Sequence, residues 1–185
     1  MTPSDKRGRL IEAATSLAYR DGFEKAALAD IAREAKVPLG NVYYYFKAKA
    51  DILQGIIAQR VDEFEAMRRV WETKPSAKER LAAYVDMTAA GRESIARHGC
   101  PVGSLCSELA KGGPDLAKVA SRPLAELRNW IEAQFEAMGK GGEKARLALH
   151  LLAAVQGVSL LANGFDDPDL VSIEADHLKA WIRAL

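Results

Sequence analysis

The chain has 185 residues, of which 26 are Lys or Arg and 25 are Asp or Glu, so its formal net charge is +1. A net charge this close to zero excludes indiscriminate binding to nucleic acid driven by charge alone. With 49% hydrophobic residues, the chain can bury a core without disulfides or metals. The charge is unevenly spread, however. Residues 1–49 carry nine basic and six acidic side chains, net +3, and the remaining residues sum to −2. Two parts with different functions are therefore expected.

The sequence predicts a cytoplasmic protein. The sequence has no run of eighteen apolar residues, and the polar N-terminus lacks the apolar segment of a signal peptide, so membrane insertion and export are disfavoured. Two cysteines, Cys100 and Cys106, are too few for a disulfide framework. In a reducing cytosol they are expected to be free thiols.

Apolar residues recur at helical spacing throughout the first part of the chain. They predict a first helix that ends at Asp21-Gly22, a short second helix over about residues 28–35, and a third from about Leu39 to Tyr45. The break between the last two falls at residues 36–38. Three short helices with a tight break before the third predict a helix-turn-helix.

The rest of the chain is also predicted to be helical, giving an all-α fold of about nine helices. A long fourth helix follows Lys49, and a capping box at Ser76 and Glu79 opens a fifth that runs to about Arg97. Further helices are predicted at about residues 102–110, 116–138 with a bend at Pro123, 145–162 and 170–185. The segment 145–162 is apolar almost all round, so we expect its spare face to meet a second subunit.

The densest motif lies between Leu28 and Lys49. It combines Asp30-Ile31-Ala32, the element Gly40-x-x-Tyr43-x-x-Phe46 and a lysine at the start of the fourth helix. Over about residues 9–53 the pattern resembles the N-terminal domain of the tetracycline-repressor (TetR) family of bacterial transcription regulators. The resemblance implies a helix-turn-helix domain over residues 1–49, and a domain over residues 50–185 that binds a small-molecule effector and dimerises through its last two helices.

The same resemblance implies a homodimeric regulator, most simply a repressor, that binds a palindromic operator in double-stranded DNA. It implies no catalytic activity, no cofactor and no metal. Two alternatives stay open at this point. One is a small helical enzyme that uses Cys100 or His150, and the other is a dimeric ligand-binding or interaction module in which the first domain is structural.

The third helix carries the residues expected to read DNA. A recognition helix enters the major groove by its N-terminal end, so its outer side chains must be short or polar and its inner face apolar. The resemblance assigns phosphate contacts to Tyr43 and Lys49. Taken by itself, the aromatic run from Tyr43 to Phe46 would also fit packing in the core, and this alternative fits Tyr45 best. The predicted DNA-binding residues are Leu39, Gly40, Asn41, Tyr43, Tyr44, Lys47 and Lys49.

One departure from the family pattern concerns the start of the second helix. The family usually places a Thr or Ser there that caps the helix and touches phosphate, whereas this chain has Ala26 and Ala27. The missing cap removes a hydrogen bond worth about 1 kcal/mol. Affinity for DNA is then expected to depend more on the basic side chains.

A second motif surrounds Cys100, in the stretch His98-Gly-Cys-Pro-Val-Gly-Ser-Leu105. It resembles, more weakly, a TetR subgroup of electrophile- and oxidant-responsive repressors. Because Cys100 precedes a predicted helix, unpaired N–H groups there would favour a reactive thiolate. The alternative is that Cys100 and Cys106 are small buried apolar residues. A zinc site lacks an evident fourth ligand, and nucleophilic catalysis lacks an orienting third group.

Helical facing suggests an effector pocket and a dimer interface in the second domain. Each pocket candidate also fits plain core packing. The predicted effector-binding or sensing residues are Tyr84, Met87, Cys100, Leu105, Trp130, Phe135 and His150. The predicted dimer-interface residues are Leu152, Val155, Gln156, Leu160, Trp181 and Ile182.

Overall fold

The computed structural model describes residues 3–185, with side chains from Lys6 onward. Within these residues the chain is all-α, as predicted, with eleven α-helices, one short 3₁₀ helix at Gly141–Glu143 and no strand. The α-helices are α1 Pro3–Asp21, α2 Leu28–Glu34, α3 Leu39–Tyr45, α4 Lys49–Trp71, α5 Ala77–Ala90, α6 Arg92–His98, α7 Gly103–Ala110, α8 Pro114–Ala120, α9 Arg122–Ala137, α10 Lys144–Phe165 and α11 Asp169–Ala184.

The helices outnumber the predicted nine because two of the predicted helices are broken. The helix expected to run from residue 76 to about 97 ends at Gly91, whose lack of a side chain lowers helix propensity, and α6 restarts at Arg92. The helix expected over 116–138 breaks at Ser121 instead of bending. Pro123 then lies in the first turn of α9, where its missing N–H costs nothing.

The described residues form two compact units. The first takes in the residues up to Asp62 together with Ser104–Pro123, and the second comprises Glu63–Gly103 and Leu124–Leu185. The core of the first unit includes Leu10, Val42, Phe46, Ile52, Leu105 and Leu109. This grouping follows from packing alone, and the functional boundary after Lys49 stays a prediction.

A Schellman motif ends α2 and makes the turn before α3. The N–H of Val37 donates to the carbonyl of Ala32 at 2.9 Å, and that of Lys36 donates to Arg33 at 3.1 Å. This closure requires a left-handed residue, which is usually glycine. Here Lys36 takes that conformation, with φ at 54°. The buried Val37 then fixes the turn to the core.

The second unit is built around an aromatic and aliphatic core to which α4, α5, α9, α10 and α11 contribute. Within α10, the side chains of Leu147, Leu151 and Val155 are buried, whereas Leu160 and Phe165 are 71% and 70% exposed. The segment 141–165 is the one stretch of the described residues with the length and hydropathy to cross a membrane, and 33% of its most apolar window is buried in the fold. Core helices of soluble proteins have the same properties.

Candidate functional site

The recognition helix predicted at α3 has one buried and one exposed face. Val42 is fully buried and Phe46 is 2% exposed, so these two side chains anchor the helix in the first unit. On the outer face, Leu39, Tyr43 and Tyr44 are 42%, 54% and 73% exposed. Large apolar and aromatic side chains this exposed on one short helix are typical of a binding surface.

The remaining residues of α3 follow the same division. Gly40 is exposed and Asn41 is half-buried at the N-terminal end of the helix, where a groove-reading side chain is needed. Tyr45 is half-buried and packs against the core, in an edge-to-face contact with Tyr44 at 5.0 Å between ring centroids. Core packing therefore fits Tyr45, while the rings of Tyr43 and Tyr44 point outward.

Two lysines flank the end of α3. Lys47 is exposed, and its Nζ donates to the carbonyl of Tyr43 at 3.2 Å. Lys49 is half-buried, and its Nζ donates to the carbonyl of Glu24 at 2.7 Å and lies 4.9 Å from the centre of the Phe23 ring. The Lys49 ammonium, which is predicted to contact phosphate, is thus already held in position by Glu24 and Phe23.

Asp51 was missed by the sequence reasoning. Its carboxylate accepts the backbone N–H groups of Lys47 and Ala48 at 2.8 and 3.0 Å, which caps the start of α4. An acidic residue in the first turn of a helix was the available signal. The cap fixes the backbone that carries Lys47 and Lys49.

The missing cap on α2 is confirmed, because Ala27 makes no side-chain cap hydrogen bond. The turn between α1 and α2 is held from a distant helix instead. The two oxygens of the Glu108 carboxylate, on α7, accept the N–H groups of Phe23 at 2.9 Å and Glu24 at 2.8 Å. No local pattern predicts this contact, since the partners are 85 and 84 residues apart.

In the second unit, three of the predicted effector residues belong to one buried cluster. Tyr84, Trp130 and Phe135 are 2%, 6% and 0% exposed. Trp71 links two of them, with its ring 5.6 Å from Tyr84 and 4.9 Å from Trp130. Burial raises the pKa of the Tyr84 phenol above its ordinary value, and nearby Cys100 raises it further, so the phenol stays neutral.

Trp130, which belongs to this cluster, and Gln134, which is buried on the same helix, each have one buried polar atom without a partner in the described part of the chain. These atoms are Nε1 of Trp130 and Oε1 of Gln134, one turn apart on α9. The other amide atom of Gln134 donates to the carbonyl of Trp130 at 3.3 Å. Buried polar atoms without partners are rare in folded proteins, and they cost free energy until a partner arrives.

Cys100 lies half-buried in the loop between α6 and α7. Its Sγ accepts the N–H of Gly103 at 3.3 Å and the side-chain amide of Gln156 at 3.5 Å. Cys106 is different, because its thiol donates to the carbonyl of Ala120 at 2.9 Å. Among the described residues, no group of three or more His, Cys, Asp or Glu is placed to hold a metal ion.

The other predicted effector residues lie elsewhere. Leu105 is 5% exposed and belongs to the core of the first unit, so it packs apart from the aromatic cluster. Met87 is 37% exposed on α5. His150 is exposed on α10, with its ring 4.8 Å from that of Trp181. The structure thus brings Tyr84, Trp130 and Phe135 together, and places Cys100 near Tyr84.

The predicted interface residues divide by burial. Val155 and Ile182 are 4% and 1% exposed and belong to the protomer's own core, so neither offers a side chain to a partner. Leu160 is exposed, and Leu152, Gln156 and Trp181 are half-buried. On α10 and α11, the exposed large apolar side chains that were not predicted as interface residues include Leu149, Leu161, Phe165 and Ile173.

Residues 10–56 match the family model for "Bacterial regulatory proteins, tetR family". The fatty acid metabolism regulator protein of Bacillus subtilis is 33% identical over 78 residues, which are 42% of this chain and 40% of that protein. The A-factor receptor protein of Streptomyces griseus is 27% identical over 94% of this chain and 57% of its own length. The chain spans 40%, 35% and 56% of the lengths of the first three curated relatives that it matches.

The similarity to solved structures covers almost the whole chain. A TetR-family transcriptional regulator from Agrobacterium tumefaciens superposes with a TM-score of 0.85 at 22% identity, over 97% of this chain and 98% of that one. At this level of identity the likeness concerns the fold. The family model thus covers the helix-turn-helix segment, and the solved structures share the fold of the full chain.

Proposed function

We propose that this chain, whose residues 10–56 match the TetR family model, is a homodimeric DNA-binding transcriptional repressor of that family. Two copies of α3, held by the dimer, would occupy successive major grooves about 34 to 36 Å apart on a palindromic operator. The family is one of transcription regulators, so we propose no catalytic activity. A cytoplasmic location follows from access to DNA.

The observation that carries this proposal is the two-faced recognition helix. Val42 and Phe46 fix α3 from within, while Leu39, Tyr43 and Tyr44 extend into solvent. A helix used only for packing would gain nothing by exposing two tyrosine rings. Asn41 at the N-terminal end adds an amide that can contact a base edge or a phosphate.

Selection of DNA from a random pool tests the DNA-binding function directly. Repeated rounds with the purified protein should enrich a palindrome with half-sites about one helical turn apart. The Asn41→Ala variant, which keeps every buried anchor, should lose the enriched sequence and retain weak, salt-sensitive binding. A pool that stays random with the unmodified protein contradicts the proposal, because the tyrosines of α3 would then serve another purpose.

We propose that a small molecule, or modification of Cys100, releases the protein from DNA. Support comes from the second unit, where Trp130 Nε1, in the aromatic cluster, is a buried donor without a partner, and Gln134 Oε1, one turn later on α9, is a buried acceptor without a partner. A ligand that satisfies both atoms would favour one geometry of the body helices over another. For Cys100, support comes from its half-buried position and from the two N–H donors that fix its Sγ at the start of α7.

The dimer interface is proposed along the exposed apolar residues of α10 and α11. Leu160, Leu161 and Phe165 on α10 are 71%, 50% and 70% exposed, and Ile173 on α11 is 54% exposed. Apolar side chains in such numbers on adjacent helices are expected to be covered by a partner. A symmetric pair of copies would bury the same residues on both sides.

A further inference from the structure

We propose that Glu108 is the positioning residue through which helix α7 controls the DNA-binding turn. In this role, the carboxylate keeps the α1–α2 turn in the geometry that binds operator through hydrogen bonds to two backbone N–H groups. A displacement of α7 would break these hydrogen bonds. The inference rests on the proposed function, because it assigns the route by which an event at Cys100 reaches DNA. It adds a residue that neither the motif nor the family model includes, since Glu108 lies outside residues 10–56.

The Glu108 carboxylate binds the turn through both of its oxygens. They accept two successive backbone N–H groups, from Phe23 at 2.9 Å and from Glu24 at 2.8 Å. Hydrogen bonds to an ionised acceptor are stronger than those between neutral groups. Gly22 permits the close approach, because a Cβ at this position would lie 3.3 Å from Oε1 of Glu108, and its φ of 93° suits glycine.

The turn has no local side chain that could replace Glu108. Ala26 and Ala27 occupy the positions where a Thr or Ser would cap the next helix, and α2 has no side-chain cap. The turn therefore depends on α7 for its side-chain hydrogen bonds to Phe23 and Glu24. That helix is itself seated in the core of the first unit by Leu105 and Leu109, which are 5% and 2% exposed, so α7 and the turn are packed as one piece.

The turn is bonded in addition to a residue proposed to touch DNA. Glu24 donates its N–H to Glu108 and accepts a hydrogen bond from Lys49 Nζ through its carbonyl, at 2.7 Å. One peptide segment thus joins α7 to the first residue of α4. If the turn shifts, the Lys49 ammonium loses its fixed position, and with it the orientation toward phosphate.

The N-terminal end of α7 is bonded to Cys100. This helix begins at Gly103, whose N–H donates to Cys100 Sγ, and Gln156 donates to the same sulfur. The space there is tight, because a Cβ on Gly103 would collide with Oε1 at the end of the Gln156 side chain and would lie 3.3 Å from Cβ of Cys100. A group added at this point must displace the start of α7 or the Gln156 side chain. Since α7 is eight residues long, Glu108 lies little more than one turn away along a continuous helix.

The test perturbs the start of α7 without needing an effector. Gly103→Ala introduces the crowding, Glu108→Ala removes the hold, and the double variant combines them. Gly103→Ala with Gln156→Ala is the matched control, since it lacks the atom that obstructs the new Cβ. Two properties are measured in each protein: hydrogen exchange of the Phe23 and Glu24 amides by NMR, and affinity for the operator enriched from the random pool.

The proposal expects Gly103→Ala to speed exchange at both amides and to weaken operator binding about fivefold or more, which is the usual lower range for coupled sites. In the Glu108→Ala background the same change should add nothing, and in the control with Gln156→Ala the effect should disappear. Gly103→Ala effects that are equal with and without Glu108 overturn the proposal, as do unchanged amides. Should Glu108→Ala fail to fold, Glu108→Gln keeps one acceptor oxygen and should give an intermediate response.

Failure of the proposed function has a separate signature. If the unmodified protein selects no operator, repression fails as a function. The amide measurements still decide whether α7 positions the turn through Glu108, because they need no DNA. As a charge control, Glu93→Gln removes a carboxylate that is 70% exposed on α6, and it should leave both amides and the operator affinity unchanged.

Discussion

The Nζ atom of Lys49 lies 2.7 Å from the carbonyl oxygen of Glu24, so the first residue of α4 is bonded to the turn between α1 and α2. The same ammonium lies 3.8 Å from the Glu24 carboxylate and over the Phe23 ring. A long lysine side chain normally loses much rotamer freedom when it binds phosphate. At Lys49 part of this rotamer freedom is already lost when the protein folds, because the side chain is bonded to Glu24. Less conformational entropy is then lost when Lys49 binds phosphate, which favours binding.

Lys49→Ala should therefore weaken binding to every DNA sequence about alike. It leaves one phosphate per protomer without its positive partner, so the slope of log K against log salt should fall by about 1 for each such phosphate. Fluorescence anisotropy on operator and unrelated duplexes, over a range of salt concentrations, measures both effects. The exposed Lys118→Ala in α8 serves as the charge control, and weakening limited to the operator would refute a phosphate role for Lys49.

Tyr43→Phe should weaken operator binding with no effect on folding. The Tyr43 ring is 54% exposed, so its hydroxyl does not support the core, and we expect it to donate to a DNA phosphate. Removal of one hydrogen bond to a charged phosphate costs about 1.5–3 kcal/mol, which corresponds to about a tenfold or larger rise in Kd. Tyr45→Phe is the matched control, because Tyr45 is half-buried and should leave Kd almost unchanged. Equal effects at the two positions would remove the distinction between the two faces of α3.

Cys100→Ser should bind operator normally yet no longer respond to N-ethylmaleimide. Cys100 lies in the α6–α7 loop with two N–H donors on its sulfur, and alkylation there would crowd the start of α7. In gel-shift assays the alkylated parent protein should release DNA. Cys106→Ser should behave like the parent, since its thiol is bonded to Ala120. Release of the Cys100→Ser protein by the reagent would exclude Cys100 as the sensor.

Leu160→Glu should convert the dimer to a monomer. The Leu160 side chain is 71% exposed in a single copy, and covering such a side chain contributes about 2 kcal/mol per protomer. Burying a carboxylate there would cost still more. Light scattering coupled to gel filtration gives the mass, and Ala145→Glu, exposed at the start of the same helix, is the control. A Leu160→Glu protein that keeps its dimeric mass would move the interface off this face.

Lys36→Gly should stabilise the protein by about 0.5–1 kcal/mol. Lys36 has a φ of 54°, a conformation that costs a side-chain-bearing residue about 1 kcal/mol or more. Glycine avoids this strain, but it loses more conformational entropy on folding, so the net gain in the free energy of unfolding is smaller. Urea unfolding should show a higher midpoint with an unchanged m-value. Lys118→Gly in the last turn of α8 should instead destabilise, by up to about 1 kcal/mol. A lower midpoint for Lys36→Gly would mean that the lysine side chain itself supports the turn.

Local sequence determined the all-α fold, the helix-turn-helix and the bounds of the recognition helix. Helical periodicity and turn residues act over a few positions, so the break at residues 36–38 and the helix from Leu39 to Tyr45 follow from neighbours alone. The Ser76 and Glu79 capping box is equally local, and the structure has it as predicted. At Gly91 and near Pro123, the helical pattern of the sequence predicted one continuous helix. In the structure, each of these helices is divided into two.

Only the tertiary structure decided which faces are covered and which distant residues meet. In α10 the sequence is apolar almost all round, so no periodicity could assign Val155 to the core and Leu160 to the surface. Leu105 likewise needed the packing of α7 to place it in the first unit. The bond from Glu108 to Phe23 joins residues 85 positions apart, and only the folded chain brings them within hydrogen-bond distance. Neighbouring residues thus specify the helices of this protein. Long-range packing specifies which helices contact each other, and therefore which helix could respond when another one moves.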